Sequence, residues 1–586
     1  MNLTSWDFST HYQAFLMKTV PTLLGFSAAL GSSFQTVYGV ATQEQWKHLG
    51  ESLQGRLHPA TPISAPCFSV VNGQQVRRNE SACREVQQGY TNPDFRFPRA
   101  NAWMFPQSET CQRTLETCLL DSLNPDNSAA WVGKDCKQGS VSPYFIEVTG
   151  PEDVQKAFDF AKKTGTYLSI KASGHDYKGR SSLPGSLSLW TANLKSMSYS
   201  KTFTPEGGNK THAAVTLGAG ANFEEIYKFA DENKFTFIGG YAQTISATGG
   251  WGQGGGHSVL SPVYGLGVDR VLEFKVVTPD GKYRTANEFQ NQDLYWALRG
   301  GGGGTFGVVL ESTMSVEPAM SIRVASISVP LNPENAHKFL SLIINETYKW
   351  GEEGWGGHMT GNSIINVNPL LTLEEAQKSV KPITDFALAN NGTSVVEELP
   401  SWQAFFTKYV LSAQAVVGQP TILGSRLIPA ALFTNDIGKD QVHNVTYTML
   451  TKYGINPYIV VGPPFRYNYT EGTTSVTSAW RNSLWQIGFN RKWNWNSTVG
   501  DIERTYRTVT EVTQLARNIT PNSGAYFNEG DTYEPNHEVA FWGDNYPRLL
   551  KIKKKYDPDR LLDCWQCVGW NGPADKRFSC YIPPYN

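Results

Sequence analysis

The chain has 586 residues, 40% of them hydrophobic and 12% aromatic, which is enough apolar material for large cores and excludes a wholly disordered polymer. Fifty-one Lys and Arg face 52 Asp and Glu, a formal net charge of -1, so nothing in the charge balance recruits nucleic acid or an anionic membrane surface. No uninterrupted apolar run reaches the roughly 18 residues of a membrane span.

In chain order, the first candidate element starts at Met17. MKTVPTLLGFSAALGSSF has one Lys, an apolar run and small residues, the layout of a secretory signal over 17–34; a short buried helix is the competing reading. Residues 35–140 are rich in Cys, Pro and turn formers and read as a disulfide-stapled lead-in. Eight cysteines, Cys67, Cys83, Cys111, Cys118, Cys136, Cys564, Cys567 and Cys580, fit paired disulfides in an oxidising compartment. Five precede residue 137 and three follow 563; two odd groups require at least one bridge between the ends of the chain. Cys564-Trp-Gln-Cys567 as a zinc site lacks histidines at finger-like spacing, so no metal is expected. Asn79, Asn209, Asn345, Asn391, Asn444, Asn468, Asn496 and Asn518 each open a glycosylation sequon, as does Asn2.

From residue 141 the pattern becomes regular. Pro151 opens a helix with Val154, Ala157, Phe158 and Ala161 on one face. YLSIKAS reads as a strand, AAVTLGAG as another, FEEIYKFADEN as a helix and FTFIGG as a strand. VLEFKVVTPDGKYRTA reads as a hairpin turning at Asp280-Gly281. NQDLYWALRG is a short helix and FGVVLESTMSV a strand. After about 322 the strands RVASISVPL and SIINVNPLL alternate with longer helices, NAHKFLSLIINETYKW and LEEAQKSVKPITDFALANN, and DIERTYRTVTEVTQLARN reads as one helix. The expected class is α+β, with a cofactor-binding region at 141–322, a substrate region at 323–515, and a segment 516–586 too small for its own core that returns to the first region.

Three glycine-rich segments carry the chemistry. The first runs from Lys171 through Ser173, Gly174, His175, Tyr177 and Gly179 to Ser182, directly after a strand. The second holds Thr248, Gly249, Gly250, Gly254, Gly255 and Gly256, and ends at His257. The third runs from Arg299 through Gly300–Gly304 to Gly307. Glycines turn tightly and present backbone N–H groups to phosphate; one such loop is weak, whereas three within a short span favour a large anionic cofactor over simple tight turns. The Rossmann fingerprint fails, because Phe223 stands where the third glycine after Gly218-Ala219-Gly220 belongs.

These segments, with Tyr264-Gly265-Leu266, Asp269, Asp293–Ala297, Ala525-Tyr526-Phe527-Asn528, Trp542-Gly543, Tyr546 and Tyr556–Asp559, resemble the berberine-bridge-enzyme-like branch of the vanillyl-alcohol-oxidase flavoprotein family. Within it the likeness is nearest to secreted fungal isoamyl-alcohol-oxidase-like proteins. It is close over 140–320 and 520–563 and general elsewhere. The resemblance implies a two-subdomain FAD-binding fold with an α+β substrate domain, a flavin bonded covalently to His175, and binding by the glycine loops and Asn528. It implies oxidation of a small-molecule alcohol to an aldehyde or ketone, with oxygen returning as hydrogen peroxide. A biosynthetic tailoring dehydrogenase or oxidative cyclase is the alternative on the same cofactor, and a non-catalytic secreted glycoprotein the alternative of another class. Two departures stand out. Many relatives carry a second, cysteinyl flavin link, but the matching place lies near Gln243 and no Cys occurs between 137 and 563, so a single link is expected. Where relatives place a proton-abstracting Tyr, this chain has Glu529. A carboxylate serves if burial raises its pKa toward working pH; Tyr526, Asp531 and Tyr533 are alternatives, and Glu529 as a turn cap or Arg partner is the structural reading. Trp402, Phe405, Phe406, Tyr409, Trp480 and Trp485 either line the substrate pocket or, for most of them, fill core.

Overall fold

The computed structural model describes residues 41–413 and 416–584; the leader read at 17–34 lies outside them. The lead-in opens on the helix Gln43–Ser52, set by a capping box in which Thr42 Oγ1 accepts from Gln45 N and Gln45 Oε1 accepts from Thr42 N. Two local disulfides, Cys67–Cys83 and Cys118–Cys136, staple the segment, and Cys111–Cys580 joins it to the C-terminus across 469 residues. The two odd groups are therefore resolved by one long bridge. Cys564 and Cys567 bond each other, which disposes of the zinc alternative.

Two sheets follow. Tyr144–Glu147, Leu187–Trp190 and Leu168–Lys171 pair in parallel, with Leu57–Pro59 antiparallel at one edge. The helix Pro151–Thr164, ended by Gly165 at φ 72°, buries Val154, Ala157, Phe158 and Ala161 against this sheet. The second sheet is antiparallel, in the order Tyr283–Asn287, Val271–Val277, Val308–Ser315, His212–Gly218 and Met197–Phe203. The hairpin at Asp280-Gly281 forms as read, with Gly281 at φ 80°. The FTFIGG strand shrinks to Phe235–Thr236. Its glycines admit aromatic neighbours instead: a Cβ on Gly239 would sit 2.5 Å from the Tyr227 hydroxyl. The expected helix over LEEAQKSVKPITDFALANN breaks into Leu373–Ser379 and Lys381–Ala389, because Pro382 has no N–H for a continuous helix.

The third sheet has seven antiparallel strands, ordered Thr393–Leu399, Ile322–Ser328, Ser363–Asn368, Gly356–Met359, Tyr458–Val461, Ser483–Lys492 and Thr421–Pro429. Successive side chains leave opposite faces. Met359, Ile364, Ile459, Ile487 and Ile422 point into a core shared with the helices Pro333–Glu353, Asp436–Tyr453 and Val499–Ile519. Their alternates, His358, Ile365, Tyr458, Gln486 and Leu423, form the opposite face and line a cavity. The tail returns over the third glycine segment: Trp542 Nε1 donates to Gly300 O at 3.0 Å and Lys553 Nζ to Thr305 O at 2.7 Å.

Candidate active site

A cavity of about 730 Å³ lies between the glycine segments and the free face of the seven-stranded sheet. Its first wall follows directly from the strand Leu168–Lys171. Gly174 turns the chain at φ 78°, where a Cβ would meet Lys171 Cε at 3.1 Å and Trp103 Cα at 3.3 Å. The turn delivers His175 to the cavity with Nε2 2.7 Å from Thr244 Oγ1. Burial and the charge of Lys171 push the imidazole down to about 3, so it is neutral at any working pH. The second and third glycine segments touch backbone to backbone: a Cβ on Gly303 would lie 2.9 Å from Gly250 Cα. Gln253 clasps them, its side-chain amide donating to Thr248 O and its backbone carbonyl accepting from the N–H groups of Gly300 and Gly302, each at 3.0 Å.

Glu529 stands in the same cavity. Its Oε1 is 3.2 Å from His257 Nε2, and its Oε2 accepts from Gln486 Nε2 at 2.7 Å. Trp480 and Tyr526 flank the His257 ring at centroid distances of 6.2 and 5.2 Å. The condition set for a carboxylate base, a pKa raised by burial, is not met at Glu529. Burial does oppose its charge, but His257 and the Gln486 hydrogen bond outweigh it and hold the carboxyl below its ordinary value. Tyr526, 2% exposed, goes the other way: burial and the Glu529 charge push its phenol up, so it keeps its proton. Its hydroxyl accepts from Asn528 Nδ2 at 2.7 Å, and the same amide donates to Gly250 O at 2.9 Å.

Of the residues read from the sequence, Ser173, Gly174, His175, Tyr177, Gly249, Gly250, Tyr526, Asn528 and Glu529 line this cavity together. Gly179, Thr248, Gly254, Gly255 and Gly256 do not; they support it from behind. Thr248 bonds Ser312 Oγ at 2.7 Å beneath the loop, Gly254 makes room for the Asn528 amide, and Gly255 and Gly256 take φ of 141° and 76°. Asp531 is committed to Arg517 at 2.9 Å and the Tyr533 hydroxyl donates to Ile582 O, so neither reaches the cavity. Gln243 turns away to Asp94, at 2.8 and 3.0 Å. Of the six aromatics, only Tyr409 lines the cavity. Sequence reading missed His257 as a partner of Glu529, together with Gln486, Tyr458 and His358. His257 closes the second glycine segment, which was its one local signal; the others had none.

The unpartnered polar atoms suit a long polar cofactor. Ser246 Oγ, Gln253 Oε1, Tyr241 OH and Gln486 Oε1 are buried on residues lining the cavity and have no partner among the described residues. A Cβ on Gly250 would meet nothing within 4 Å, so backbone there borders open cavity. These features fit a protein that holds a long polar cofactor along glycine loops. The family model described as FAD binding domain matches residues 142–287, and the one described as Berberine and berberine like matches 525–568. An FAD-linked oxidoreductase of Aspergillus flavipes is 41% identical over 92% of this chain and 94% of its own length. Another, of Pyricularia oryzae, is 40% identical over 93% and 95%. The crystal structure of a VAO-type flavoprotein of Myceliophthora thermophila C1 superposes with a TM-score of 0.80 at 28% identity, covering 92% of this chain and 97% of that one. The chain belongs to the berberine-bridge-enzyme-like branch of the vanillyl-alcohol-oxidase flavoprotein family. It is an FAD-linked oxidoreductase.

Proposed function

We propose that this protein oxidises the CH–OH group of a small alcohol to a carbonyl, with FAD tethered to His175 alone. The observation that carries this reading is a carboxylate, Glu529, held between His257 and Gln486 in the cavity that also receives His175. Bound FAD would supply a two-electron acceptor for the substrate's hydride. Ser173, Gly174, Gly249, Gly250 and Asn528 would line its seat. The protein's own part is to take the hydroxyl proton. Glu529 accepts it: its lowered pKa keeps it an anion at working pH, at the cost of basicity, and its two hydrogen-bond partners fix its position. The protonated phenol of Tyr526 orients the substrate oxygen and does not act as base. The free sheet face, with Leu423, Ile365 and Val460 beside Tyr458 and His358, presents an apolar wall with polar points and shapes the substrate pocket; the substrate region is accordingly drawn at 323–515. All eight cysteines are disulfide-bonded, and each of the eight sequon asparagines from Asn79 to Asn518 is exposed. Both facts support a secreted glycoprotein.

The visible spectrum of acid-precipitated protein tests the tether: oxidised-flavin absorbance stays with the polypeptide, and His175→Ala releases it. Anaerobic bleaching by a panel of alcohols, then peroxide release on admitting air, tests the reaction. Protein that no alcohol bleaches refutes the activity, and bleached protein that air does not reoxidise replaces oxygen with another acceptor.

A further inference from the structure

We propose that Tyr409, anchored by Glu397, bounds the far end of a substrate groove that starts at Glu529, and that the groove takes an uncharged alcohol with a long apolar arm. This rests on Glu529 being the group that meets the substrate hydroxyl, and adds what lies beyond that hydroxyl. Strand register draws the groove. Gln486 pairs with Val460, Val460 with His358, and His358 with Ile365. Directly opposed residues project from the same face, and all four line the cavity. The row therefore runs from the amide that holds Glu529 across three strand spacings, about 14 Å. Beyond it, Ile365 pairs with Ser326 and Ser326 with Val395. No described residue of those last two strands, Ile322–Ser328 and Thr393–Leu399, lines the cavity.

Tyr409 stands where the row leaves the cavity. It lies on a π turn, Phe406–Val410, that continues the short helix Trp402–Phe405, a geometry frequent at functional sites. Rings connect it to the row: Tyr241 meets His358 edge-on at 4.2 Å between centroids, Phe405 lies 5.8 Å from Tyr241, and Tyr409 stacks on Phe405 at 5.6 Å. The Tyr409 hydroxyl donates to Glu397, which projects from the same sheet face as Val395, two residues earlier on the edge strand, and does not line the cavity. Lys408 Nζ holds the same carboxylate at 2.6 and 2.8 Å. Burial and the hydrogen bond to Glu397 push the phenol up, so it keeps the proton that makes that bond. With its hydroxyl committed, Tyr409 offers a ligand its ring. The rest of the wall agrees. The sheet contributes no Asp, Glu, Lys or Arg to the cavity, and burial and His257 push His358 down to about 3, so it is neutral. Thr360 Oγ1 and Ser363 Oγ, beside Ile365, bond each other at 2.8 Å. A charged arm would lose its hydration here without a partner, whereas methylenes laid along Val460 and Ile365 leave water favourably.

The test titrates the flavin-loaded protein anaerobically with straight-chain primary alcohols from butanol to dodecanol. Perturbation of the flavin absorbance gives a Kd for each alcohol, and bleaching in the same samples gives the reduction rate. Wild type is expected to bind about fourfold more tightly for each added methylene. At neutral pH ω-hydroxydodecanoate, charged at its far end, is expected to bind about a hundredfold more weakly than dodecanol, or worse. Tyr409→Ala is expected to lower the dodecanol-to-butanol affinity ratio about tenfold. Glu397→Ala, which frees the ring, lowers it about fivefold, and Glu397→Gln, whose amide oxygen still accepts from the phenol, restores most of it. Wild-type affinity that does not rise with chain length, or equal binding of the hydroxy acid, overturns the groove without needing any variant to fold. A ratio unchanged in both Tyr409→Ala and Glu397→Ala overturns the role of Tyr409. Length-dependent binding that Tyr409→Ala weakens, with no bleaching by any alcohol, supports the groove and refutes the oxidation instead, so the two failures are told apart.

Discussion

Replacing Glu529 with Gln separates chemistry from structure at this site. The two side chains have the same shape, and the amide retains an oxygen that accepts from Gln486 Nε2, now 2.7 Å from the carboxylate. The contact with His257 at 3.2 Å loses its charge, so stability falls by about 1–2 kcal/mol at most. The reaction loses far more. A positioned general base contributes about 10²–10⁴-fold, equivalent to about 3–5 kcal/mol of barrier. Anaerobic stopped-flow reduction of the flavin by a substrate alcohol reads that step directly, apart from reoxidation. The pH profile carries a second signature. The Glu529 carboxyl is held below its ordinary value of 4.5, so the wild-type reduction rate is flat above that pH and falls only as the carboxylate is protonated below it. In Glu529→Gln that acid limb disappears. A variant that reduces its flavin as fast as wild type, with the acid limb intact, would refute the assignment of Glu529.

Tyr526→Phe removes a phenol that burial keeps protonated, so reduction slows by about tenfold or less and the acid limb stays where it is; the same stopped-flow series checks this. Gly250→Val projects a side chain past open backbone into the cavity, so the protein folds but flavin affinity drops by about 1–3 kcal/mol, measured by flavin-to-protein absorbance ratio and by circular dichroism. Arg481→Met strands the Asp269 carboxylate: the two form a forked pair at 2.7 Å with both side chains 3% exposed. The expected loss is about 3–5 kcal/mol in urea unfolding, partly recovered by adding Asp269→Asn.

Some features of this protein are written locally and were legible in the chain. A turn at positive φ costs least with glycine, so Gly174 and Gly281 announce their turns wherever the rest of the molecule lies. A histidine delivered by such a turn directly after a strand is equally local. The odd partition of cysteines between the two ends also needed no coordinates. Which cysteines close the long bridge did need them, because Cys111 and Cys580 meet only when the tail folds back. The FTFIGG segment shows the same limit: its pattern is that of a strand, yet contact with Tyr227 spends its glycines elsewhere. The proton-handling group belongs wholly to tertiary structure. His257, Gln486 and Glu529 come from a glycine loop, a strand and the returning tail, and no local pattern relates them. The environment of Glu529 belongs there too: burial alone raises a carboxyl, and only the packing of the sheet against the loop, which brings a histidine and an amide to its two oxygens, reverses that sign.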